Sequence, residues 1–199
     1  MCHLFETISI RNGIAENLPW HQDRIDMASR SVYGKKPDFK LALVIRIPIK
    51  MQSGHFRCRV DYDVDIKEIA FSPYIRKEIK SLKLVTDDSI EYPHKYSDRG
   101  RIEKLFESRD ECDDILIVKN GLITDTSMAN IIFRDGRRWV TPSEPLLYGT
   151  CRARLLDFGI ITEARIKVSD LNKYNEAKII NALRDPNEFE AIPILNIKH

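Results

Sequence analysis

An amine can attack a carbonyl only after shedding its proton, and one lysine stands in a stretch that raises the question of whether it does so. In EYPHKYSDRGRIEKLF, residues 91–106, Lys95 sits between a proline-stiffened lead-in and the start of a helix. Taken alone it reads as a solvated surface charge, the usual fate of lysine. Asp125 in GLITDTS reads alone as a turn residue, and His21 and Arg24 as exposed helix positions. Gly149-Thr150, at the start of TCRARLLDFG, is more informative. Unpaired N–H groups at a helix start bind anions and a threonine hydroxyl adds a donor, so a phosphate would fit; on this motif alone a plain helix start, with threonine as N-cap, is the stronger reading. Any chemistry must come from the set.

The elements that would hold these residues can be read from patterning. HLFETISIRNGIAENL alternates over Leu4 to Ile10 and turns at Asn12-Gly13, which predicts a β-hairpin. PWHQDRIDMASRSVYG opens on proline, spaces Ile25, Ala28 and Val32 at helical intervals and ends at Gly34, which predicts a helix. PDFKLALVIRIPIKMQSG suits either a buried strand or a helix interrupted near Pro48, with helix favoured. Strands are expected in HFRCRVDYDVDIKEIAFSPY and KSLKLV, then a helix over SDRGRIEKLFESR. DDILIVKNG, LITDT, NIIFRDG and RWVTP read as a meander, followed by a helix from Gly149 to Gly159 and strands in ITEARIKV and AKIINAL. The fold class is α+β, with domains expected over 1–85 and 86–199.

Composition narrows the partner. The 199 residues are 43% hydrophobic, enough for a core of ordinary size. Lys plus Arg number 32 against 30 for Asp plus Glu, and a net charge of +2 implies neither nucleic acid nor an anionic membrane, leaving a small molecule. Cys2, Cys58, Cys112 and Cys151 form no CxxC or Cys/His pair, so neither a metal site nor a disulfide framework is expected. The N-terminus does not read as a signal peptide and no run approaches a membrane span, so a cytoplasmic location is expected.

The segments FETISIRNGIAENLPWHQDRI, KYSDRGRIEKL, DDILIVKNGLITDTSMANIIF, WVTPSEPLLYGTCRARLLD and KIINAL follow the order and approximate spacing of the class IV aminotransferases. The chain thus resembles the fold-type IV pyridoxal-phosphate family, which includes branched-chain and D-amino-acid aminotransferases and aminodeoxychorismate lyase. The resemblance implies a two-domain architecture with a small, shortened N-terminal domain and a larger C-terminal domain binding pyridoxal 5'-phosphate. By resemblance, Lys95 is the catalytic lysine that joins the cofactor covalently, and Asp125 pairs with the pyridine nitrogen. Arg24 holds the phosphate with Thr150 and Cys151, Leu147 packs on the ring, and Asn181 and Ala182 lie near the phosphate or the substrate. The chemistry is consistent: a desolvated lysine beside another cation deprotonates readily, a carboxylate keeps a pyridine nitrogen protonated, and a guanidinium suits a phosphate.

The chain departs from the family pattern at three places. Asp125 stands for the usual glutamate, Cys151 for the threonine of many relatives, and Gly100 for the tyrosine that often follows the lysine. KIINAL and KYSDR resemble the lyase branch, which implies release of pyruvate and 4-aminobenzoate from aminodeoxychorismate. A branched-chain or D-amino-acid aminotransferase, and a cofactor-binding protein without turnover, remain alternatives. The family also implies a homodimer.

Overall fold

The computed structural model describes residues 3–199, and in it the chain falls into two compact units. One holds the chain up to Arg76 together with His94–Asp98; the other holds Lys77–Pro93 and Arg99–His199. The first crossing lies ahead of the expected boundary at 85 because the strand Leu82–Thr86 pairs in parallel with Asp114–Lys119, so it belongs to the second unit.

The first unit is built on the predicted hairpin. Strand β1 (Leu4–Arg11) turns through Asn12 and Gly13, with φ of 47° and 78°, into the short β2 (Ile14–Ala15). Two successive positive φ values are the geometry that Asn-Gly favours, because it matches the twist of paired strands. β1 also pairs antiparallel along its length with β3 (His55–Tyr62), which pairs with β4 (Ile66–Pro73), giving the order β2-β1-β3-β4. Helix α1 (Leu18–Tyr33) has proline in its first turn and ends on Gly34, whose φ of 74° lets its N–H reach the Arg30 carbonyl. Ile25 and Ala28, one turn apart, pack with Leu4, Ile8, Ile10, Cys58, Val60 and Tyr62 into one core.

The ambiguous apolar segment is not a strand; it is helical in two short pieces separated at Pro48, far shorter than the interrupted helix favoured from sequence. It forms a single turn, α2 (Leu41–Val44), and a 3-10 turn at Ile49–Met51, with Leu41, Ile45 and Met51 buried. Pro48 lacks an N–H and disfavours helical backbone in the residue before it, so the run cannot continue as a helix.

The second unit contains β5 (Leu82–Thr86), helix α3 (Gly100–Glu107), β6 (Asp114–Lys119), β7 (Leu122–Thr126), β8 (Asn130–Asp135) and β9 (Arg138–Pro142). Helix α4 (Thr150–Asp157), β10 (Ile161–Ala164), β11 (Glu176–Ile180), β12 (Ile192–Pro193) and β13 (Ile197–Lys198) follow. The expected meander is divided: β6 and β7 join a sheet of order β13-β5-β6-β7, while β8 and β9 join one of order β10-β9-β8-β11-β12. The break falls in the tight turn after β7, where the Thr126 N–H donates to the Ala129 carbonyl at 2.9 Å and the chain passes from one sheet to the other. Leu82, Leu116, Val118 and Ile123 from the first sheet meet Ile131, Phe133, Val140 and Ile179 from the second in one core.

Cys58, Cys112 and Cys151 are free thiols, and Cys2 lies outside the described residues. Among the described residues there is no cluster of three metal-ligating side chains and no helix long and apolar enough to cross a membrane.

Candidate active site

In the first unit, the five-residue segment His94–Asp98 lies along the start of β1. The Phe5 N–H donates to the Lys95 carbonyl at 3.0 Å, Tyr96 bridges Leu4 in antiparallel register, and the Ser97 N–H donates to the His3 carbonyl at 2.9 Å. Lys95 is therefore held by its own main chain, half-buried, with its Nζ 4.6 Å from the centre of the Phe5 ring. The Arg59 guanidinium lies 4.0 Å from the same centre and is gripped by both oxygens of Asp61 at 2.6 Å.

Arg24 is not an exposed helix position. Its Nε and Nη2 donate to the two oxygens of Glu6 at 2.7 and 2.6 Å. His21, one turn earlier on α1, places Nδ1 2.7 Å from Glu6 Oε2. Burial pushes the Glu6 carboxyl up, but Arg24 and His21 together outweigh it and hold the group at about 2. Burial pulls the His21 imidazole below its ordinary value, so it is neutral and donates from Nδ1. Sequence reasoning passed over Glu6, although a signal was present: it occupies a core-facing place of β1, between Leu4 and Ile8, where alternation calls for an apolar side chain.

In the second unit, Asp125 is buried in β7. Its Oδ1 accepts from Asn130 Nδ2 at 2.6 Å and its Oδ2 from the Leu147 N–H at 2.9 Å. Among the described residues it forms no ion pair, and burial pushes its carboxyl up to about 6 against the opposing pull of those hydrogen bonds. Asn130, which closes the TDTSMAN stretch, also donates to the Leu147 carbonyl at 2.8 Å. It thereby ties the turn after β7 to the loop that leads into α4. Gly149 caps that helix, and a Cβ there would stand 2.0 Å from Asn130 Oδ1, so the approach admits only glycine.

Thr150 is buried in the first turn of α4. Cys151 turns its side chain into a core with Ile132, Leu155, Ile161 and Ile180, where burial pushes its thiol up to about 11. The thiol is neutral there, and the backbone N–H is the group Cys151 can offer a ligand. Asn181 follows β11, which pairs with β8 in the register Ile180↔Asn130. Its side chain reaches the Met128 carbonyl at 3.4 Å and accepts the Leu183 N–H at 2.9 Å, leaving Ala182 at the tip of a closed turn. Asp125, Leu147, Gly149 and Asn181 are thus gathered around Asn130 and its turn.

The family described as amino-transferase class IV matches residues 30–192. An uncharacterised protein of Haemophilus influenzae is 44% identical over 185 residues, covering 92% of this chain and 98% of its own length. Among solved structures, a Haemophilus somnus protein described provisionally as a 4-amino-4-deoxychorismate lyase superposes with a TM-score of 0.85 at 38% identity, over 92% of this chain and 97% of its own. A Mesorhizobium loti protein, provisionally an amino-acid aminotransferase, gives 0.79 at 23% identity over 97% and 98%, a likeness of fold. The chain belongs to the class IV aminotransferase family.

Proposed function

We propose that the protein is a pyridoxal-phosphate enzyme that converts 4-amino-4-deoxychorismate into 4-aminobenzoate and pyruvate. The observation that carries this reading is the likeness, over nearly the whole of both chains, to the Haemophilus somnus protein described in those terms. The Asn181-Ala182-Leu183 turn beside the Asp125 loop is consistent with it.

The residues present fit the cofactor. Asp125 is a buried carboxylate without an ion pair among the described residues, and a protonated pyridine nitrogen is the partner that would satisfy it. Lys95 would hold the cofactor through its amine, and Arg24 and the start of α4 would hold its phosphate. Leu147 would pack on the ring, and Asn181 and Ala182 would border the phosphate or the substrate. When bound, the cofactor supplies an electron-accepting ring conjugated to the substrate carbon that bears the amino group. Asp125, ionised above about pH 6, keeps a proton on the pyridine nitrogen so that the ring can accept those electrons. The Lys95 Nζ would take the proton from the substrate carbon that bears the amino group. The enolpyruvyl group departs with its electron pair, gains a proton and becomes pyruvate, so no oxidant is required. The substrate is a small molecule and the protein works in the cytoplasm, and it works within a homodimer, as the family resemblance implies.

The test is to incubate the purified protein with 4-amino-4-deoxychorismate and, separately, with branched-chain and D-amino acids plus a keto acid. Formation of 4-aminobenzoate and pyruvate in equal amounts supports the lyase. Amino-group transfer alone assigns the protein to the aminotransferases, and no turnover in either assay assigns it a binding role.

A further inference from the structure

We infer that Glu6 is the positioning residue for Arg24, a carboxylate that touches no ligand yet sets how strongly the protein prefers a phosphate-bearing cofactor. The inference rests on the proposal that Arg24 binds the phosphate.

Three observations carry it. First, the contact has two points: Arg24 Nε and Nη2 each meet a different oxygen of Glu6, at 2.7 and 2.6 Å, which fixes the plane and direction of the guanidinium. Second, Glu6 cannot swing away, since His21 Nδ1 clamps Oε2 at 2.7 Å and the side chains of both His21 and Glu6 are 0% exposed. Third, the pair is graded outward, with the Arg24 side chain 12% exposed against 0% for Glu6. The carboxylate sits behind and the cation in front, the order in which a supporting group stands to the residue that meets a ligand. A free arginine side chain has several rotatable bonds and would lose their freedom on each binding event; here that ordering is done when β1 and α1 pack. Glu6 lies on β1 and its two partners on α1, so the cluster also couples the packing of the helix to the aim of Arg24.

Equilibrium binding of pyridoxal phosphate and of pyridoxal, which lacks the phosphate, to the full chain separates this role from a merely structural one. Glu6→Gln is expected to weaken pyridoxal phosphate on the order of tenfold to a hundredfold, the scale for removing a group that orients a ligand-binding side chain, and to leave pyridoxal within about threefold. In an Arg24→Ala background the same change is expected to add no further loss. Equal weakening of both ligands, or none for pyridoxal phosphate, overturns the inference. Should Glu6→Gln fail to fold, Glu6→Asp, which keeps the charge and withdraws it by one methylene, is read by the same ratio. If Arg24→Ala alone leaves the preference for the phosphate-bearing form intact, the assignment of Arg24 fails, and this inference fails with it. Arg24→Ala abolishing the preference while Glu6→Gln leaves it intact overturns the positioning role alone.

Discussion

Asn130 uses one side-chain amide to join Asp125 to the main chain of Leu147: it donates to Asp125 Oδ1 at 2.6 Å and to the Leu147 carbonyl at 2.8 Å. The Leu147 N–H closes the ring on Asp125 Oδ2 at 2.9 Å. Asn130→Ala would remove two hydrogen bonds from a buried place, with an expected loss of about 1–3 kcal/mol in denaturant unfolding. It should also move the Asp125 titration upward, because a hydrogen bond to the charged form is gone. An unchanged carboxyl titration, followed by NMR, would contradict that account.

Asp125→Asn keeps the side chain's size and removes its charge, giving up one of the two acceptors in this ring. If Asp125 serves the pyridine nitrogen, the variant should retain much of its cofactor and lose about two or more orders of magnitude in turnover, the scale for removing a preorganised electrostatic group. Turnover equal to wild type would exclude that role.

Two buried carboxyls should make opposite contributions to the pH dependence of stability in the cofactor-free protein. The Glu6 carboxyl, held at about 2 against an ordinary 4.5, contributes stability that is full above about 4.5 and is lost as pH falls towards 2. Asp125 acts the opposite way. Its folded-state carboxyl, at about 6 against 3.8, keeps a proton that the unfolded chain has released, so this contribution is lost as pH rises from about 4 to about 6. Each is worth on the order of 3 kcal/mol by linkage. Urea unfolding of wild type and Asp125→Asn across pH 3 to 8 checks the sign: the fall between pH 4 and 6 should shrink in the variant.

Gly149→Ala should be harmful although the backbone there, with φ of −72°, suits any residue. The new Cβ would collide with Asn130 Oδ1 at 2.0 Å. The expected loss is about 1–3 kcal/mol, as for overpacking elsewhere, and the Asp125 ring should loosen with it. Gly136→Ala, with open space around its Cβ but a φ of 58°, serves as a control that probes backbone strain alone.

Borohydride reduction of the protein after incubation with pyridoxal phosphate should fix the pyridoxyl group on Lys95, found by peptide mapping. Label on another lysine, or none at all, would remove Lys95 from the reaction.

Local chemistry made much of the fold legible. Asn12-Gly13 announced its turn, Pro19 and Gly34 bounded α1, and Gly149 marked the start of α4, because each depends on backbone rules that act within a few residues. What escaped depends on distant partners. The run from Leu41 to Met51 is apolar enough for strand or helix; Pro48 marked its interruption, but burial of Leu41 and Ile45 in the core is what settles it as short turns. Strands of two residues, β12 and β13, carry no period to detect. Patterning also could not divide a four-strand meander between two sheets. At the candidate site, Asp125 and Arg24 were nameable by resemblance. The grip of Glu6 on Arg24 and of Asn130 on Asp125 needed three dimensions, since each joins residues whose adjacency is created by packing.

The return of His94–Asp98 to the first unit bears on how this protein can be recombined with its relatives. The chain passes between its units after Arg76, again after Pro93 and again after Asp98. A chimera that exchanges only the leading stretch therefore replaces the bed on which Lys95 rests, namely the main chain of Phe5, the Phe5 ring and the Arg59 beside it, while leaving the lysine itself native. A fragment ending at Arg76 is incomplete in the opposite sense, with the Leu4 and Phe5 end of β1 stripped of its neighbour and open to another strand. The lysine and its bed are inherited from separate parts of the chain, and an exchange that preserves the contact must carry both.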